Sequence, residues 1–271
     1  MKLSVVIPAH NEEECIDSTV RGVHQALVAE AIEHEILVIN DNSSDSTEAI
    51  LRTLADDIST LRYMNNPPPP GFGFAVRRGL ENFSGDAVVV YMADASDRPG
   101  DVVRYFRAMT EKGVDCVFGS RFSKGAQVVE YPRLKLALNR SANLFIQALF
   151  GLRYNDVTNA FKMYRRHVIE GLRPFLSHHF NLTVELPLKS IVRGYSYAVV
   201  PNDWLNRKAG KSKLQIKEMG SRYLFIVLYC LIEKWLSRGD YHRFRTERGR
   251  SPAPLEENPL AHSRRQGNGS R

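Results

Sequence analysis

Residues 1–121 alternate between short apolar runs and longer segments with helical periodicity. The apolar runs have strand length and lie at residues 3–8, 35–40, 60–64, 87–92 and 114–118. Helical patterns separate them, up to residue 29, over 48–55, from 71 onwards and over 100–112. Strands that alternate with helices across short connections form parallel sheets, and continuous apolar strands are covered on both faces. The sequence therefore predicts an α/β fold with a mostly parallel sheet flanked by helices.

The pattern changes after Arg121. A polar loop over 122–132 comes first, and a turn at 156–161 enters a short strand. The remaining predicted elements are a helix at 133–150, a helix at 181–193, a strand at 195–200, a basic loop at 207–213 and a helix at 214–236. Residues 241–271 are rich in Arg, Pro, Gly and Ser and have little to bury, so we expect them to be disordered.

An acidic turn follows the strand at 87–92. Asp94 and Asp97 lie there, beyond the carboxyl end of the strand, where open α/β sheets bind ligands. Two carboxylates in this position can hold a hard divalent cation, which in turn holds phosphate oxygens. The same residues can also serve as helix caps for the segment from residue 100. The turn by itself leaves both interpretations open.

The first two strands also end in polar turns. The first runs into Pro8-Ala-His-Asn-Glu12 without the glycine-rich turn of a dinucleotide fold, which argues against a nicotinamide or flavin dehydrogenase. The second ends at Asp41, whose carboxylate can hydrogen-bond a nucleobase or ribose. Residues 41–47 also include side chains that can cap the N-terminus of the next helix. Capping by this segment and ligand binding by Asp41 are compatible.

Seven motifs resemble, in their order, those of family 2 glycosyltransferases. They are Pro8-Ala-His-Asn-Glu-Glu13, Asp41-Asn-Ser-Ser-Asp45, the Gly71–Leu80 loop, Ala93-Asp-Ala-Ser-Asp97, Gly119-Ser-Arg121, Asp156-Val-Thr-Asn-Ala-Phe161 and the Arg207–Lys213 loop. The last three narrow the resemblance to the dolichol-phosphate mannose synthase and polyprenyl-phosphate glycosyltransferase branch. It covers about residues 1–235 and implies a GT-A-type fold. We accordingly expect a catalytic domain at 1–213, a membrane-surface or packing helix at 214–240 and a disordered basic tail at 241–271.

The resemblance assigns roles to individual residues. It implies that Pro8, Ala9, Asn11 and Glu12 line a nucleotide-sugar pocket and that Asp41 contacts the base. It implies catalytic roles for Asp94, Asp97 and Arg121, and it adds Ser96 to the residues that bind the nucleotide-sugar donor. The cationic side chains expected around the donor diphosphate and the acceptor phosphate are Arg121, Lys135, Arg207 and Lys213.

Asp94 matches the metal-binding Asp of the family's Asp-x-Asp motif, which implies Mg²⁺ or Mn²⁺ as cofactor. The chain departs from the motif at Met92, which stands where the first Asp is usual. Asp97, or Ser96 through its hydroxyl, could supply a substitute ligand. Asn40 likewise stands where the second strand usually carries an Asp.

The implied reaction is inverting transfer of a sugar from a GDP- or UDP-linked donor to a polyprenyl phosphate, giving a lipid-linked phosphosugar. An acceptor phosphate arrives ionised, so no general base is required. One alternative is a family 2 transferase with a glycan or other hydroxyl acceptor, for which Asp97 or Glu185 would be the base. Another is a non-catalytic nucleotide-sugar-binding protein, which the Met92 departure favours.

The helix at 214–236 is predicted to contact the membrane surface. Its ten apolar residues, 223–232, are too few to span a bilayer, which takes about 20. Flanking Arg222, Lys234, Trp235 and Arg238 suit an amphipathic helix in the headgroup region. The alternative is a buried packing helix or a dimer helix. We therefore expect a cytoplasmic protein that is peripherally associated with the membrane, where the Arg-rich tail could add attraction to anionic lipid.

The net charge of +7 is unevenly distributed along the chain. Residues 243–271 contain seven Arg against three Glu, so the body of the chain is only mildly basic. Such a mildly basic body is weak support for nucleic-acid binding, and we expect the protein not to bind nucleic acid. The three cysteines, Cys15, Cys116 and Cys230, are far apart and show no metal-binding spacing, as expected for thiols of a reducing compartment.

Overall fold

A seven-stranded sheet forms the centre of the chain in a computed structural model that describes residues 1–129, 133–205 and 216–242. The strands are β1 (Leu3–Ala9), β2 (His34–Asn40), β3 (Leu61–Asn65), β4 (Ala87–Val90), β5 (Cys116–Ser120), β6 (Val128–Val129), β7 (Lys162–Arg165), β8 (Tyr197–Pro201) and β9 (Trp204–Leu205). The large sheet has the order β3-β2-β1-β4-β7-β5-β8, and β6 pairs with β9 in a separate small sheet. The predicted α/β class and mostly parallel sheet are confirmed.

Eight helices cover the sheet or pack on one another in the described part of the chain. They are α1 (Ile16–Ala29), α2 (Thr47–Asp57), α3 (Phe72–Asn82), α4 (Pro99–Lys112), α5 (Arg133–Phe150), α6 (Arg166–Gly171), α7 (Leu182–Val192) and α8 (Ile216–Leu236). Among the described residues, no helix combines the length and the apolar character needed to cross a membrane.

The core has two halves, one on each face of the sheet. Along β1, Val6 packs into one half, while Val5 and Ile7 pack into the other. Successive side chains of a strand point to opposite faces, so a strand covered on both faces must be apolar throughout. This explains the continuous apolar runs. Helices α1, α2 and α4 contribute to one half, and α3, α5, α7 and α8 contribute to the other.

Strand β7 is the exception in the sheet. It lies between β4 and β5 and is antiparallel to both, whereas the other neighbouring pairs of the large sheet are parallel. The sequence predicted a short strand here but not its direction. Because β7 starts at the edge where the parallel strands end, the turn at 156–161 lies at that same edge.

The chain reverses its direction of winding between β1 and β4. From β1 it proceeds to β2 and β3 on one side, and then returns to β4 on the other side of β1. Ligands of open α/β sheets bind in the crevice at such a switch point. The turns after β1 and β4 flank this crevice, and both carry polar side chains.

Helix α8 packs against α7 and joins the core. Ile226, Val227 and Cys230 are buried there, and Glu233 forms a buried ion pair with Arg193, with Nε–Oε1 at 2.7 Å. Leu224, Phe225, Leu228, Ile232, Trp235 and Leu236 of the same helix are exposed. The helix is therefore a packing helix on one side and carries an exposed apolar surface on the other.

Candidate active site

The turns after β1 and β2 are joined side by side. The Asn11 side-chain oxygen accepts a hydrogen bond from the backbone N–H of Ser44 at 2.8 Å, and the Asn11 N–H donates to Ser43 Oγ at 3.0 Å. The Glu12 N–H donates to Thr47 Oγ1 at 2.9 Å. Asn11 adopts a left-handed conformation with φ 53°, which asparagine tolerates better than most residues. These bonds fix one wall of the crevice.

Pro8 and Ala9, two other predicted pocket residues, belong to the end of β1. Both are buried and pair in register with Ile39 and Asn40 of β2. The Ala9 carbonyl accepts the N–H of Asp41 at 2.7 Å. Their backbone therefore sets where the turns begin. A direct contact between either residue and a ligand stays a prediction.

Asp41 is buried and holds the segment between β3 and α3. One carboxylate oxygen accepts from the Asn66 amide at 2.8 Å, and the other accepts from the backbone N–H of Gly71 at 2.7 Å. Gly71 directly precedes α3. Asp41 thus connects the β2 turn to the beginning of α3. Its predicted contact with a nucleobase would use the oxygen lone pairs that remain.

The acidic turn after β4 has a constrained backbone. Ala95 has a φ of 54°, an uncommon conformation for a residue with a side chain. It allows the N–H of Ser96 to donate to Asp94 Oδ1 at 3.1 Å, while Thr19 Oγ1 of α1 donates to the Ala93 carbonyl at 3.0 Å. Asp94 is only 8% exposed. The turn therefore holds the Asp94 carboxylate in place before any ligand arrives.

Asp97 is more deeply buried than Asp94, at 5% exposure. Burial, together with the neighbouring charge of Asp94, raises the pKa of Asp97 to about 8, although Arg121 acts in the opposite direction. Perturbed carboxyl groups of this kind concentrate at functional sites. A cation between these carboxylates would favour their charged forms.

Asn202 connects the acidic turn with two other loops. It is fully buried just after β8, and its side-chain N–H donates to Asp97 Oδ1 at 3.4 Å. Its side-chain oxygen accepts from the Asn159 amide at 2.7 Å, and Asn159 also donates to the Gly119 carbonyl at 3.1 Å. The ends of β5 and β8 and the turn before β7 are therefore tied to the acidic turn.

Asp203 adds a second connection to the acidic turn. One of its carboxylate oxygens accepts the N–H of Gln127 at 2.8 Å, and the other forms an ion pair with Arg98 at 3.1 Å. Sequence reasoning missed both Asn202 and Asp203. They follow directly on a correctly predicted strand, and that position was the signal that could have found them.

Arg121 is held by Asp156 rather than projecting into open solvent. Its Nε and Nη2 bind the two oxygens of this fully buried carboxylate at 2.8 and 2.7 Å, and its backbone N–H binds the same group at 2.9 Å. The pair lies close enough to Asp97 to influence its pKa. The predicted contact of Arg121 with a diphosphate stays a prediction.

Lys162 of β7 is a buried cation that the sequence analysis did not single out. Its Nζ donates to the backbone carbonyls of Val157 and Thr183 at 3.0 and 3.1 Å, and to that of Asn159. Burial lowers the pKa of Lys162 to about 7. The side chain holds the 156–161 turn against the beginning of α7, so its contacts are structural.

The structure brings Asn11, Asp41, Asp94, Asp97 and Arg121 to one edge of the sheet. Lys135 belongs to α5, but its side chain lies outside the described part of the chain, and so do Arg207 and Lys213. The tail from residue 243 onwards also lies outside it. The predictions that concern these residues stay predictions.

Glu185 was one of two candidate bases for a hydroxyl acceptor. It is fully buried in α7, and its oxygens accept the backbone N–H groups of Leu176 and Ser177 at 2.8 and 2.7 Å. Lys189 forms an ion pair with it at 2.5 Å. A carboxylate occupied in this way has no access to an acceptor, so the role of base proposed for Glu185 is wrong.

Within residues 1–129, 133–205 and 216–242, no three His, Cys, Asp or Glu side chains come together in a way that could hold a metal ion. A protein cage of that kind is not what Mg²⁺ usually requires. It is commonly bound through one or two carboxylates together with water and substrate phosphates. The acidic turn, with two carboxylates and a hydroxyl in four residues, fits this mode.

The model of the family "Glycosyl transferase family 2" matches residues 4–173, which is more than half of the chain. The match includes the ends of β1, β2, β4 and β5 and the turn before β7. The chain belongs to glycosyl transferase family 2. The predicted family is confirmed, and this family 2 protein is a glycosyltransferase, so the non-catalytic alternative is dropped.

Two curated relatives extend the similarity beyond the matched family region. The chain is 32% identical over 216 residues to polyprenol monophosphomannose synthase of Mycolicibacterium smegmatis, with 78% of this chain and 80% of the relative covered. It is 25% identical over 241 residues to undecaprenyl-phosphate mannosyltransferase of Micrococcus luteus, with 87% and 96% covered. Both support the polyprenyl-phosphate branch of the family.

Solved structures confirm the fold of this family 2 glycosyltransferase. Glucosyl-3-phosphoglycerate synthase from Mycobacterium tuberculosis, in complex with Mn²⁺, uridine diphosphate and phosphoglyceric acid, superposes with a TM-score of 0.63 at 21% identity. The superposition covers 86% of this chain and 78% of that one. The same protein in complex with Mg²⁺ and uridine diphosphate gives a TM-score of 0.62. The GT-A-type architecture predicted from the motifs is thereby confirmed.

Proposed function

We propose that this glycosyltransferase transfers one sugar from a nucleoside diphosphate donor to a polyprenyl phosphate, giving a lipid-linked phosphosugar. The observation that carries the proposal is the 32% identity, across most of both chains, to a polyprenol monophosphomannose synthase. Mannose is the sugar in the names of both curated relatives, and we propose it as the sugar transferred.

The donor would lie across the switch point between β1 and β4. The joined turns after β1 and β2 would bind the nucleoside, with Asn11, Glu12 and Asp41 nearest to it. The diphosphate would then lie over the acidic turn at Asp94 and Ser96. This orientation places the negatively charged diphosphate of the donor beside the acidic turn. Among the described loops at the crevice, this is the turn whose side chains suit a divalent cation.

Mg²⁺ or Mn²⁺ would be held by Asp94, with Asp97 or the Ser96 hydroxyl as a further ligand in place of the missing Asp at position 92. When bound, such an ion neutralises the charge that develops on the leaving diphosphate. Asp94 is prearranged for this role, because its carboxylate is fixed by the Ser96 N–H and little exposed to water.

In the proposed reaction, an acceptor phosphate oxygen attacks the anomeric carbon. The bond from that carbon to the diphosphate oxygen breaks, its electrons leave with the nucleoside diphosphate, and the configuration at the carbon inverts. The acceptor is already an anion, so no proton has to be removed. The chain therefore needs to orient two phosphate groups and exclude water, and Arg121, Lys135, Arg207 and Lys213 are the proposed cationic residues for this task.

The exposed apolar surface of α8 would meet the lipid. Phe225, Leu228, Ile232 and Trp235 are exposed on a helix whose other side is packed on the catalytic core. Transfer of such side chains from water into the bilayer interface is favourable, because it removes their apolar surface from water. We propose that the protein acts at the cytoplasmic face of a membrane as a peripheral protein.

A second candidate is transfer to a hydroxyl acceptor, which requires a base. The observation that favours it is the buried Asp97, because a carboxylate with a pKa of about 8 is a stronger base than an ordinary carboxylate once it is ionised. The two candidates differ in whether the product partitions with lipid.

The deciding experiment measures radiolabelled sugar transfer from GDP- and UDP-linked donors to polyprenyl phosphate, with Mg²⁺, Mn²⁺ or EDTA. Label in the organic phase from GDP-mannose or UDP-mannose supports the proposal and identifies the nucleotide. Release of free nucleotide only when a glycan replaces the lipid would support the second candidate and refute the first. Full transfer in EDTA would refute the proposed role of a cation at Asp94.

A further inference from the structure

Two arginine side chains share the ring of Phe122 near the acidic turn. Phe122 is half-buried and directly follows Arg121. The guanidinium carbon of Arg121 lies 5.5 Å from the centre of this ring, and that of Arg140, which belongs to α5, lies 5.0 Å from it. Both distances are within the range of a cation–π contact. Two positive charges are therefore gathered at one ring, and the charge of Arg121 is felt at Asp97.

The part of α5 that carries Arg140 is fixed to the turn before β7. Thr158 Oγ1 donates to Asn139 Oδ1 at 2.7 Å and accepts from Asn143 Nδ2 at 2.9 Å. Asn143 is only 2% exposed, and its side-chain oxygen accepts the backbone N–H of Thr158 at 3.3 Å. Arg121 Nη2 lies 3.5 Å from the same hydroxyl. Hydrogen bonds between the helix and this turn therefore hold the backbone of Arg140 close to Arg121.

The two arginines differ in their counterions. Arg121 is bound at two points by the buried carboxylate of Asp156. Arg140 is exposed, and no carboxylate among the described residues forms an ion pair with it. A guanidinium group over an aromatic ring is restricted in position, while its N–H donors stay available for an anion. Arg140 is therefore a preoriented cation whose charge the described part of the chain does not neutralise.

The neighbour of Arg140 along the helix surface is apolar. Residues four apart lie on the same side of a helix, so Leu144 is adjacent to Arg140. Leu144 is 67% exposed, and Phe145 beside it is 51% exposed. Asn139 and Asn143 have the same spacing and face the turn before β7. The helix therefore has one side that is anchored and an adjoining side that presents a cation next to exposed apolar surface.

We propose that Arg140 binds the phosphate of the polyprenyl phosphate acceptor beside Arg121, and that Leu144 contacts the first isoprene units of its chain. This inference rests on the proposed function and adds acceptor-binding residues to it. A phosphate monoester carries a charge of about −1.5 to −2 at neutral pH, and a guanidinium group can bind two of its oxygens at once. An acceptor with an anionic head and an apolar chain matches this arrangement on α5.

The first test measures the KM values for polyprenyl phosphate and for the sugar donor in the full chain with Mg²⁺. Arg140→Gln removes the charge, so the acceptor KM should rise at least tenfold while the donor KM stays the same. Arg140→Lys keeps the charge without the planar fork and should give a smaller rise. Arg52→Gln is the matched control, because Arg52 is exposed on α2, which packs on the other face of the sheet from α5. Its KM values should equal those of the unmodified chain.

The second test separates the phosphate from the lipid and does not depend on turnover. Isothermal titration calorimetry of the full chain with Mg²⁺ compares farnesyl phosphate, a short soluble analogue of the acceptor, with inorganic phosphate. Arg140→Gln should weaken the affinity for farnesyl phosphate at least tenfold. Leu144→Ser should weaken the affinity for farnesyl phosphate several-fold and leave that for inorganic phosphate unchanged.

The outcomes distinguish this inference from the proposed function. If the unmodified chain transfers sugar to lipid but Arg140→Gln leaves the acceptor KM unchanged, or raises the donor KM instead, the inference is overturned and the function stands. If no lipid product forms, the function fails, and equal affinity of the unmodified chain and Arg140→Gln for farnesyl phosphate, or no binding at all, overturns the inference as well. Inorganic phosphate that binds as tightly as farnesyl phosphate refutes the role of Leu144. Circular dichroism of each variant establishes that a loss of affinity is not a loss of folding.

Discussion

Arg121 and Asp156 form a two-point ion pair between the turn after β5 and the turn before β7, with nitrogen–oxygen distances of 2.8 and 2.7 Å. Asp156 is completely buried. The pair therefore fixes two of the loops that surround the acidic turn. It also supplies the positive charge that acts against the raised pKa of Asp97.

We predict that Asp156→Asn lowers the free energy of unfolding by about 3–5 kcal/mol, because it leaves the buried Arg121 charge without its counterion. Urea denaturation followed by circular dichroism measures this loss. Asp17→Asn is the control, since it breaks the exposed pair with Arg21, and such pairs contribute about 0–1 kcal/mol. Similar losses in both variants would show that the buried pair has no special role.

The second prediction concerns Asp94. Asp94→Asn keeps the shape of the side chain and removes its charge, so we expect the protein to fold while sugar transfer falls at least about a hundredfold. Initial transfer rates with Mg²⁺ or Mn²⁺ measure the effect. Asp86→Asn is the matched control, because Asp86 lies at the opposite edge of the sheet, where it accepts the backbone N–H of Lys2 at 2.7 Å. Wild-type rates in the Asp94 variant would refute the proposed metal ligand.

The third prediction concerns the pH dependence of stability through Asp97. Its pKa is about 8 in the folded protein and 3.8 in an unperturbed chain, so between these values the folded state holds a proton that the unfolded state releases. Stability from this group is fully present below about pH 4 and declines as the pH rises towards 8, by up to about 1.4 kcal/mol per pH unit.

Asp97→Asn removes this titration. We therefore expect the unfolding free energy of the variant, relative to the unmodified protein, to increase steadily between about pH 4 and 8. Urea titrations at several pH values, without added divalent ions, measure the difference. A difference that does not change with pH would mean that Asp97 is ionised throughout this range, and its proposed role as a base in the second candidate reaction would lose its support.

The parallel part of the sheet could be predicted from the sequence because it depends on local patterns. Continuous apolar runs such as 35–40 indicate strands with both faces covered, and the polar residue that follows each run must then lie at the carboxyl edge. Asp41 and Asp94 were located in this way. Asn202 satisfies the same rule after β8, and applying the rule to every predicted strand would have included it.

The remaining features depend on contacts between distant parts of the chain. The antiparallel insertion of β7 is a matter of strand order, which no local pattern encodes. The partner of Arg121 lies thirty-five positions further along, and Glu185 was considered a possible base because its burial among backbone N–H groups cannot be read from its neighbours in sequence. Polar residues far from the strand ends therefore required the structure before a role could be assigned or excluded.

The exposed side of α8 provides the last prediction. Phe225 and Leu228 are 61% and 45% exposed, although they belong to a helix that is otherwise anchored in the core by Ile226 and Cys230. Burying such a side chain in an apolar environment is worth about 1.5–3 kcal/mol. Replacing both with Asp should therefore reduce binding to vesicles at least tenfold while leaving the fold intact, because neither residue contributes to the core. Sedimentation with vesicles that contain anionic lipid measures the bound fraction.

Val28→Asp is the matched control for this experiment. Val28 is 56% exposed on α1, so the substitution places one negative charge, against two in the α8 variant, on a similarly exposed apolar side chain on the opposite face of the sheet from α8. If vesicle binding depends on the α8 surface, the control keeps its binding. If both variants lose binding equally, attraction depends on overall charge rather than on this helix. If neither loses it, the lipid is reached through another part of the protein.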